Sequence, residues 1–276
     1  MQKVTEIITS RQNPLVSLAA GLVERKVRRR EGMFRFDGKK LFREALTAEL
    51  PLYAVLIREG NASEILDFVS DLSLPAGVRA VLLPDSLFDR ISEEKAPEGV
   101  ICISKTLDKI HKIVTINKCA SENDAIPTGK TLLLESVRDP GNLGTIIRSA
   151  KAFGVQNLVL SSDCADLYNP RTIRAAMGTL FSQRVFVTED LVGVIGQLRR
   201  RGRVYAAALR EDAARLGKVV FGENDAALVG NEGHGLSDEA LDACSDTLYI
   251  PMECGVESLN AGIAASVILW ELYRGQ

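Results

Sequence analysis

Up to about residue 112 the apolar positions of this chain come in mixed periods. Leu15, Leu18, Ala19, Leu22 and Val23 recur at helical spacing behind Asn13-Pro14, a turn that can open a helix. The same helix is expected to run on into the basic stretch Arg25-Lys26-Val27-Arg28-Arg29-Arg30. Phe34-Arg35-Phe36 alternates like a strand and Asp37-Gly38 turns. Residues 39–48 resume a helix with Leu41, Phe42, Ala45 and Leu46 inward. Short apolar runs at 54–57, 80–83 and 99–104 complete what reads as a small α/β sandwich. From residue 130 onward the pattern becomes regular. Near-continuous apolar runs at 132–135, 157–161, 185–188, 204–209, 227–229 and 248–250 read as strands. The segments 143–153, 170–177, 191–200 and 258–273 read as helices, the first with Ile146, Ile147, Ala150 and Phe153 on one face. Such strands separated by amphipathic helices predict a parallel sheet covered on both faces. Residues 116–129 are polar and turn-forming and are expected to link domains of residues 1–115 and 130–276.

Composition adds little to the fold but bounds the function. With 276 residues, 46% hydrophobic and 25% charged, the chain can bury two cores and has no disordered character. The formal net charge of -2 argues against a polyanion binder taken whole. Residues 1–60, however, hold twelve Lys/Arg against seven Asp/Glu, a local +5. The run Arg25, Lys26, Arg28, Arg29, Arg30 reads either as a solvated helix face or as a grip on phosphate backbones. Five cysteines, spread out and with no Cys-x-x-Cys pair, suit a reducing cytoplasm rather than a disulfide framework or zinc site. Two histidines far apart in sequence make a His-based metal cluster improbable. No apolar run approaches the ~18 residues of a membrane span, and the amino terminus lacks a signal-peptide core. A cytoplasmic protein without metal or membrane is expected.

Three loops at strand ends concentrate the chemistry. In the first, Asp139-Pro140-Gly141 turns and Asn142 is a plausible helix cap. Arg148 follows one turn in, on the face away from the apolar residues, and by itself reads first as a surface arginine. The second, Gly230-Asn231-Glu232-Gly233-His234-Gly235, has neither the G-x-G-x-x-G spacing of a dinucleotide fingerprint nor the Lys-Ser/Thr of a P-loop. A turn capped by Ser237 explains its later glycines but not Asn231 and Glu232 at a strand end. His234 reads as a plain loop residue. The third places Glu257, Ser258 and Asn260 at the mouth of the last helix. Ser258 there is either a structural cap or part of an anion-holding helix start. The missing fingerprint and the basic first unit disfavour an ordinary Rossmann nucleotide enzyme.

Taken together these loops resemble the signature motifs of the SpoU (TrmH-like) branch of the knotted SPOUT RNA methyltransferases. The matches are Asn142-x-Gly144-x-x-x-Arg148, then Gly230-Asn231-Glu232-Gly233-x-Gly235-Leu236, then Ile250-Pro251-Met252 with Glu257-Ser258-Leu259-Asn260. The first domain more loosely resembles the family's ribosomal-protein-like substrate-binding domain, through Ser10-Arg11-Gln12-Asn13-Pro14 and Phe36-Asp37-Gly38-Lys39-Lys40-Leu41. Cys254 stands where the family usually has glycine, and Gly262 where a small hydroxyl residue is common. The resemblance implies an α/β fold with a parallel sheet and a deep trefoil knot, against the usual rule for chains. It implies a homodimer and S-adenosylmethionine as cofactor. Leu209, Gly230, Asn231, Gly233, Ile250, Met252, Ser258 and Leu259 would bind that cofactor. Asn142, Arg148, Glu232, Ser258 and Asn260 would form the methyl-transfer site, and Arg25, Lys26, Arg28, Arg29 and Arg30 would hold RNA. The implied reaction is 2′-O-methylation of a ribose in structured RNA, ribosomal RNA before transfer RNA. A non-catalytic RNA-binding or ribosome-assembly protein that keeps the fold is the competing expectation.

Overall fold

The computed structural model describes residues 6–72, 74–110, 113–116, 127–256 and 258–274. In chain order the elements are β1 (Glu6–Ile7), α1 (Pro14–Gly21), α2 (Arg25–Glu31), β2 (Met33–Asp37), α3 (Lys39–Thr47), β3 (Leu52–Arg58), α4 (Ala62–Leu72), β4 (Arg79–Leu83), α5 (Asp85–Ile91) and β5 (Val100–Lys105). There follow β6 (Ile113–Ile116), β7 (Thr131–Leu134), α6 (Pro140–Ala152), β8 (Asn157–Ser161), α7 (Pro170–Ala176), β9 (Arg184–Thr188) and α8 (Leu191–Leu198). The chain closes with β10 (Val204–Ala207), β11 (Ala214–Arg215), β12 (Ala226–Val229), α9 (Asp238–Ala243), β13 (Asp246–Tyr249) and α10 (Ala261–Arg274). Two compact units result, one of Met1–Ile110 with Tyr168–Ser182, the other of His111–Leu167 with Gln183–Gln276.

The first unit is built on a five-stranded sheet in the order β1-β4-β3-β5-β2, with β1, β4 and β3 parallel and β5 antiparallel to its two neighbours. One face buries Leu15, Val16, Ala19 and Leu22 of the α1 region and Leu87, Phe88 and Ile91 of α5 against Leu56, Val81 and Ile103. The alternation expected at Phe34-Arg35-Phe36 is present, yet Arg35 does not reach solvent and is only 1% exposed. Its guanidinium donates to the Ala19 and Ile91 carbonyls in the last turns of α1 and α5, at 3.1 and 2.7 Å, and pairs with Asp37 at 2.6 Å. The rings of Phe34 and Phe36 point to the other face, against Tyr168 at 4.9 Å and Phe181 at 5.1 Å. The segment Tyr168–Ser182, which lies within the expected second domain, therefore packs into the first unit. The basic run is also not one helix with residues 14–21. Leu22, Val23 and Glu24 break it, and Arg28 of α2 donates back to the Leu22 and Val23 carbonyls.

The second unit carries an eight-stranded sheet, β11-β13-β10-β12-β7-β8-β9-β6, parallel throughout. β6 lies across the expected domain boundary at residue 115 and pairs with β9. Residues 117–126 of the expected linker lie outside the described residues. Leu133, Val159, Ala206 and Leu228 pack under α8 and α9. The other face is closed by α6 and α10, whose Ile146, Ile147, Ala150, Ala265, Ile268 and Leu269 are buried. Helices on both faces follow from runs such as Leu132-Leu133-Leu134, fully buried on both sides. Because the strands are parallel, the loops after β13, β10, β12, β7 and β8 all leave one edge of the sheet. Among the described residues no helix is long and apolar enough to cross a membrane.

Candidate active site

At that edge β7 and β12 end in register, Leu134 opposite Val229. Glu135 ties the two loops together. Its N–H donates to the Val229 carbonyl at 2.9 Å, and its carboxylate accepts from the Ser237 N–H and hydroxyl at 2.9 and 2.6 Å. Ser237 in turn caps α9 as expected, accepting from the Ala240 N–H at 3.3 Å. The cap of α6 is Asp139, not Asn142. Pro140 suits the first helical position, which sets the cap one residue earlier, and Asp139 accepts from the Asn142 N–H at 2.8 Å.

Released from capping, the Asn142 side chain becomes the centre of the site. Its amide N–H donates to the Glu232 carboxylate, and its carbonyl oxygen accepts from the Asn260 side chain at 2.9 Å. Asn260, not Ser258, takes the capping place, its carbonyl oxygen accepting from the Gly262 and Ile263 N–H groups at 3.0 and 3.2 Å. The two helices are pinned together by Ser149 and Ser266, 2.7 Å apart. A Cβ on Gly262 would stand 3.2 Å from the Asn260 amide oxygen and 3.4 Å from that of Asn142. Glycine at that position leaves the asparagine pair its room.

Glu232 is held at the tip of a loop that closes on itself. Asn231 and Gly235 exchange backbone hydrogen bonds of 3.0 Å. A Cβ on Gly230 would meet the Gly235 carbonyl at 2.5 Å, so this closure requires glycine. The Asn231 carboxamide accepts from Gly233 and His234 N–H groups at 2.8 and 3.2 Å and donates to the Ser136 carbonyl at 2.7 Å. Asn231 and Gly233 are expected among the cofactor contacts; the side chain of the first and the N–H of the second are engaged in shaping the loop. Of the five residues expected at the transfer site, three are hydrogen-bonded in series. The side chains of Arg148 and Ser258 are exposed, and neither side chain makes a hydrogen bond or ion pair among the described residues. Glu257 lies outside the described residues.

The residues expected to hold the cofactor lie on the neighbouring part of the same edge. Leu209 follows β10 and is 67% exposed, Gly230 follows β12, and Ile250 and Met252 follow β13. Three adjacent strand ends there carry the apolar Leu209, Ile250 and Met252 beside Gly230, and the exposed Val256 and half-buried Leu259 follow in the loop after β13. Apolar walls with backbone groups at their edges suit an adenosine, so these residues fit S-adenosylmethionine. Among the described residues no group of His, Cys, Asp or Glu is arranged to hold a metal ion.

Asp163, not singled out from the sequence, also lies at this edge, two residues beyond β8. It accepts from the Ser136 hydroxyl at 2.5 Å, the Ser161 hydroxyl at 2.6 Å and Arg138 at 3.1 Å. Burial alone would raise its carboxyl pKa, but these donors hold it below the ordinary value. Its contribution to stability is therefore complete above the usual aspartate range and is lost as pH falls from that range through the lowered value. The signal that could have found it is a carboxylate following a strand end on the site's edge of a parallel sheet.

In the first unit the expected RNA contacts divide. Arg28 is only 3% exposed and serves the carbonyls after α1, so it offers nothing to a polyanion. Arg25, Lys26, Arg29 and Arg30 are exposed. Arg30 pairs with Glu31 at 2.7 Å and lines a cavity of about 420 Å³ with Tyr53 and Arg79.

Comparison with known proteins identifies the family. The SpoU rRNA Methylase family matches residues 129–270, and the MRM3-like substrate binding domain matches residues 13–102. The chain is 30% identical over 267 residues to the 23S rRNA (guanosine(2553)-2'-O)-methyltransferase RlmP of Bacillus subtilis, covering 96% of this chain and 98% of that protein. It is 28% identical over 276 residues to the 23S rRNA (uridine(2479)-2'-O)-methyltransferase of Streptomyces viridochromogenes, covering 97% and 91%. The AdoMet-bound rRNA methyltransferase from Sinorhizobium meliloti superposes with a TM-score of 0.78 at 25% identity, covering 97% of both chains. With its motifs hydrogen-bonded at one sheet edge and its family match spanning half the sequence, the chain belongs to the SpoU rRNA Methylase family.

Proposed function

We propose that this chain transfers a methyl group from S-adenosylmethionine to a ribose 2′-hydroxyl of ribosomal RNA. The observation that carries the proposal is the hydrogen-bonded series Glu232, Asn142, Asn260 at the carboxyl edge of the parallel sheet. The cofactor supplies a methyl group already activated on a positively charged sulfur. Leu209, Gly230, Ile250, Met252 and Leu259 would hold its adenosine part. What is left to the protein is alignment of the acceptor hydroxyl and management of its charge and proton. Asn142, fixed from both sides, and Asn260 present rigid polar groups to the acceptor sugar. Arg148 stabilises the developing alkoxide and grips the adjacent phosphate, while a substrate phosphate or water takes the proton.

The Bacillus and Streptomyces relatives are named for guanosine and uridine targets, so the ribose rather than the base is what their names share. Mapping 2′-O-methyl sites in cellular RNA with and without the gene tests the proposal: one ribosomal site should vanish. Loss of a transfer-RNA site instead would move the substrate. No change in either RNA, together with no S-adenosylhomocysteine binding by titration calorimetry, would leave only the non-catalytic alternative.

The first unit is proposed to hold the RNA through Arg25, Lys26, Arg29 and Arg30, with Tyr53 offering a ring on which an unpaired base can stack. Replacing these four basic residues by Gln should weaken RNA binding and reduce its salt slope by about 0.7–0.9 for each phosphate contact removed. Unchanged affinity would take this face out of RNA binding.

The chain is further proposed to be a knotted homodimer acting in the cytoplasm, where ribosomes are made and used. Ile263, Trp270 and Tyr273 form one exposed stripe on α10, and Trp270 packs edge-on against Phe153 at 5.7 Å. Such a stripe is what a second copy would cover. The placement of β13 outside β10, followed by the return of α10 to pack on α6 and β12, supports threading of the carboxy-terminal segment. Sedimentation at twice the 30.0 kDa chain mass and incomplete extension under tension from the two termini check these two features.

A further inference from the structure

We propose that Asp163 is a positioning residue for methyl transfer, acting on Glu232 through Ser136 and Asn231. Ser136 has a φ of 55°, in the left-handed region where glycine is the default residue. A serine stays there because both of its ends are held. Its hydroxyl donates to Asp163 at 2.5 Å, and its N–H donates at 2.8 Å to the Ser161 hydroxyl, which itself donates to Asp163 at 2.6 Å. Arg138 closes the same carboxylate from outside at 3.1 Å. The two loops are further joined where the Ala165 N–H donates to the Val137 carbonyl at 2.9 Å.

The left-handed turn has a consequence across the sheet edge. It aims the Ser136 carbonyl at the Asn231 side chain, which donates to it at 2.7 Å. That bond orients the carboxamide whose other end accepts from the Gly233 and His234 N–H groups. Glu232 is the residue spanned by this bracket, and it accepts from Asn142. Asp163 touches neither substrate nor cofactor in this scheme. It fixes the turn that fixes the loop that presents Glu232, and so controls the geometry of the transfer site from the far side of β7.

The proposal rests on the methyl-transfer function for its kinetic part and on the structure alone for its conformational part. Asp163→Asn keeps the shape of the side chain but leaves only one of its two terminal atoms able to accept. In full-length protein, hydrogen exchange of the peptide covering residues 229–237 should speed up by about tenfold in this variant. Ser136→Gly in the same background should restore the slow exchange, because glycine adopts the left-handed turn without being held. On ribosomal RNA, Asp163→Asn should lower kcat by about 10–100-fold, with the RNA KM and S-adenosylhomocysteine affinity within about twofold of wild type. Unchanged exchange in Asp163→Asn, or no recovery with Ser136→Gly, overturns the proposal. So does a kcat per folded molecule equal to wild type. If the wild-type chain methylates no RNA and binds no S-adenosylhomocysteine, the functional assignment falls, while the exchange measurements still decide whether Asp163 holds the loop.

Discussion

Arg148→Lys should lose turnover by about 10²–10³-fold while S-adenosylhomocysteine binding stays close to wild type, the loss typical of removing one fixed donor to a developing oxyanion. The substitution keeps the positive charge and nearly the same reach, so it separates charge from geometry. A guanidinium presents a rigid planar fork that can hold an alkoxide and a phosphate oxygen at once, whereas an ammonium is a single mobile point of charge. A guanidinium is also unsuited to be the base itself, since it has no lone pair to offer and keeps its proton in proteins. Its position supports this role: it is exposed on α6, six residues after Asn142, while Ile146, Ile147 and Ala150 of the same helix are buried. Single-turnover methylation beside titration calorimetry makes the measurement. Turnover near wild type in the lysine variant would remove the guanidinium from the transition state.

Asp37→Ala should cost about 3–5 kcal/mol of stability, among the largest single-residue effects in the chain, because it leaves a buried guanidinium without its counter-charge. The pair has side-chain exposures of only 1% and 8%, and Asp37 also accepts from the Arg35 Nε at 3.2 Å. Arg35→Met combined with Asp37→Leu should recover part of that loss, since an apolar pair avoids the stranded charge. Recovery should be incomplete, because the Ala19 and Ile91 carbonyls then lose their donor. Urea unfolding midpoints of the three proteins provide the comparison. A loss below about 1 kcal/mol in Asp37→Ala would mean that water reaches Arg35.

The same arginine shows where sequence reading stops. Its alternation with Phe34 and Phe36 identified a strand but not what the arginine meets, because only the convergence of α1 and α5 gives it carbonyls to bind. Arg28 repeats the lesson: six residues from Leu22 in sequence, it is spent on the end of α1 and not on phosphate. In the second unit β7, β8, β9, β10, β12 and β13 were legible to within one or two residues because burial makes each a largely apolar run, whereas the edge strands β6 and β11 were not read from the sequence. Helices α4 and α5 went unassigned, their apolar residues being interleaved with acidic and polar ones in short segments. At the site, Asn142, Glu232 and Asn260 were found through their motifs, although nothing in their spacing told that they bond in series. The cap at Asp139 was readable from Pro140. Asp163 was not, because its link to Ser136 joins residues from different strand ends and depends on a turn with positive φ.

The insertion of Tyr168–Ser182 into the first unit has a consequence for the order in which the protein is made. A ribosome delivering residues 1–110 releases a sheet whose Phe34 and Phe36 still lack the rings of Tyr168 and Phe181. The amino-terminal unit thus cannot finish folding as soon as it emerges, as amino-terminal domains generally do. It waits until Ser182 has left the ribosome, by which point β7 and β8 of the next sheet have emerged as well. A nascent chain arrested before residue 168 should present those two phenylalanines to chaperones, and one arrested well after 182 should not.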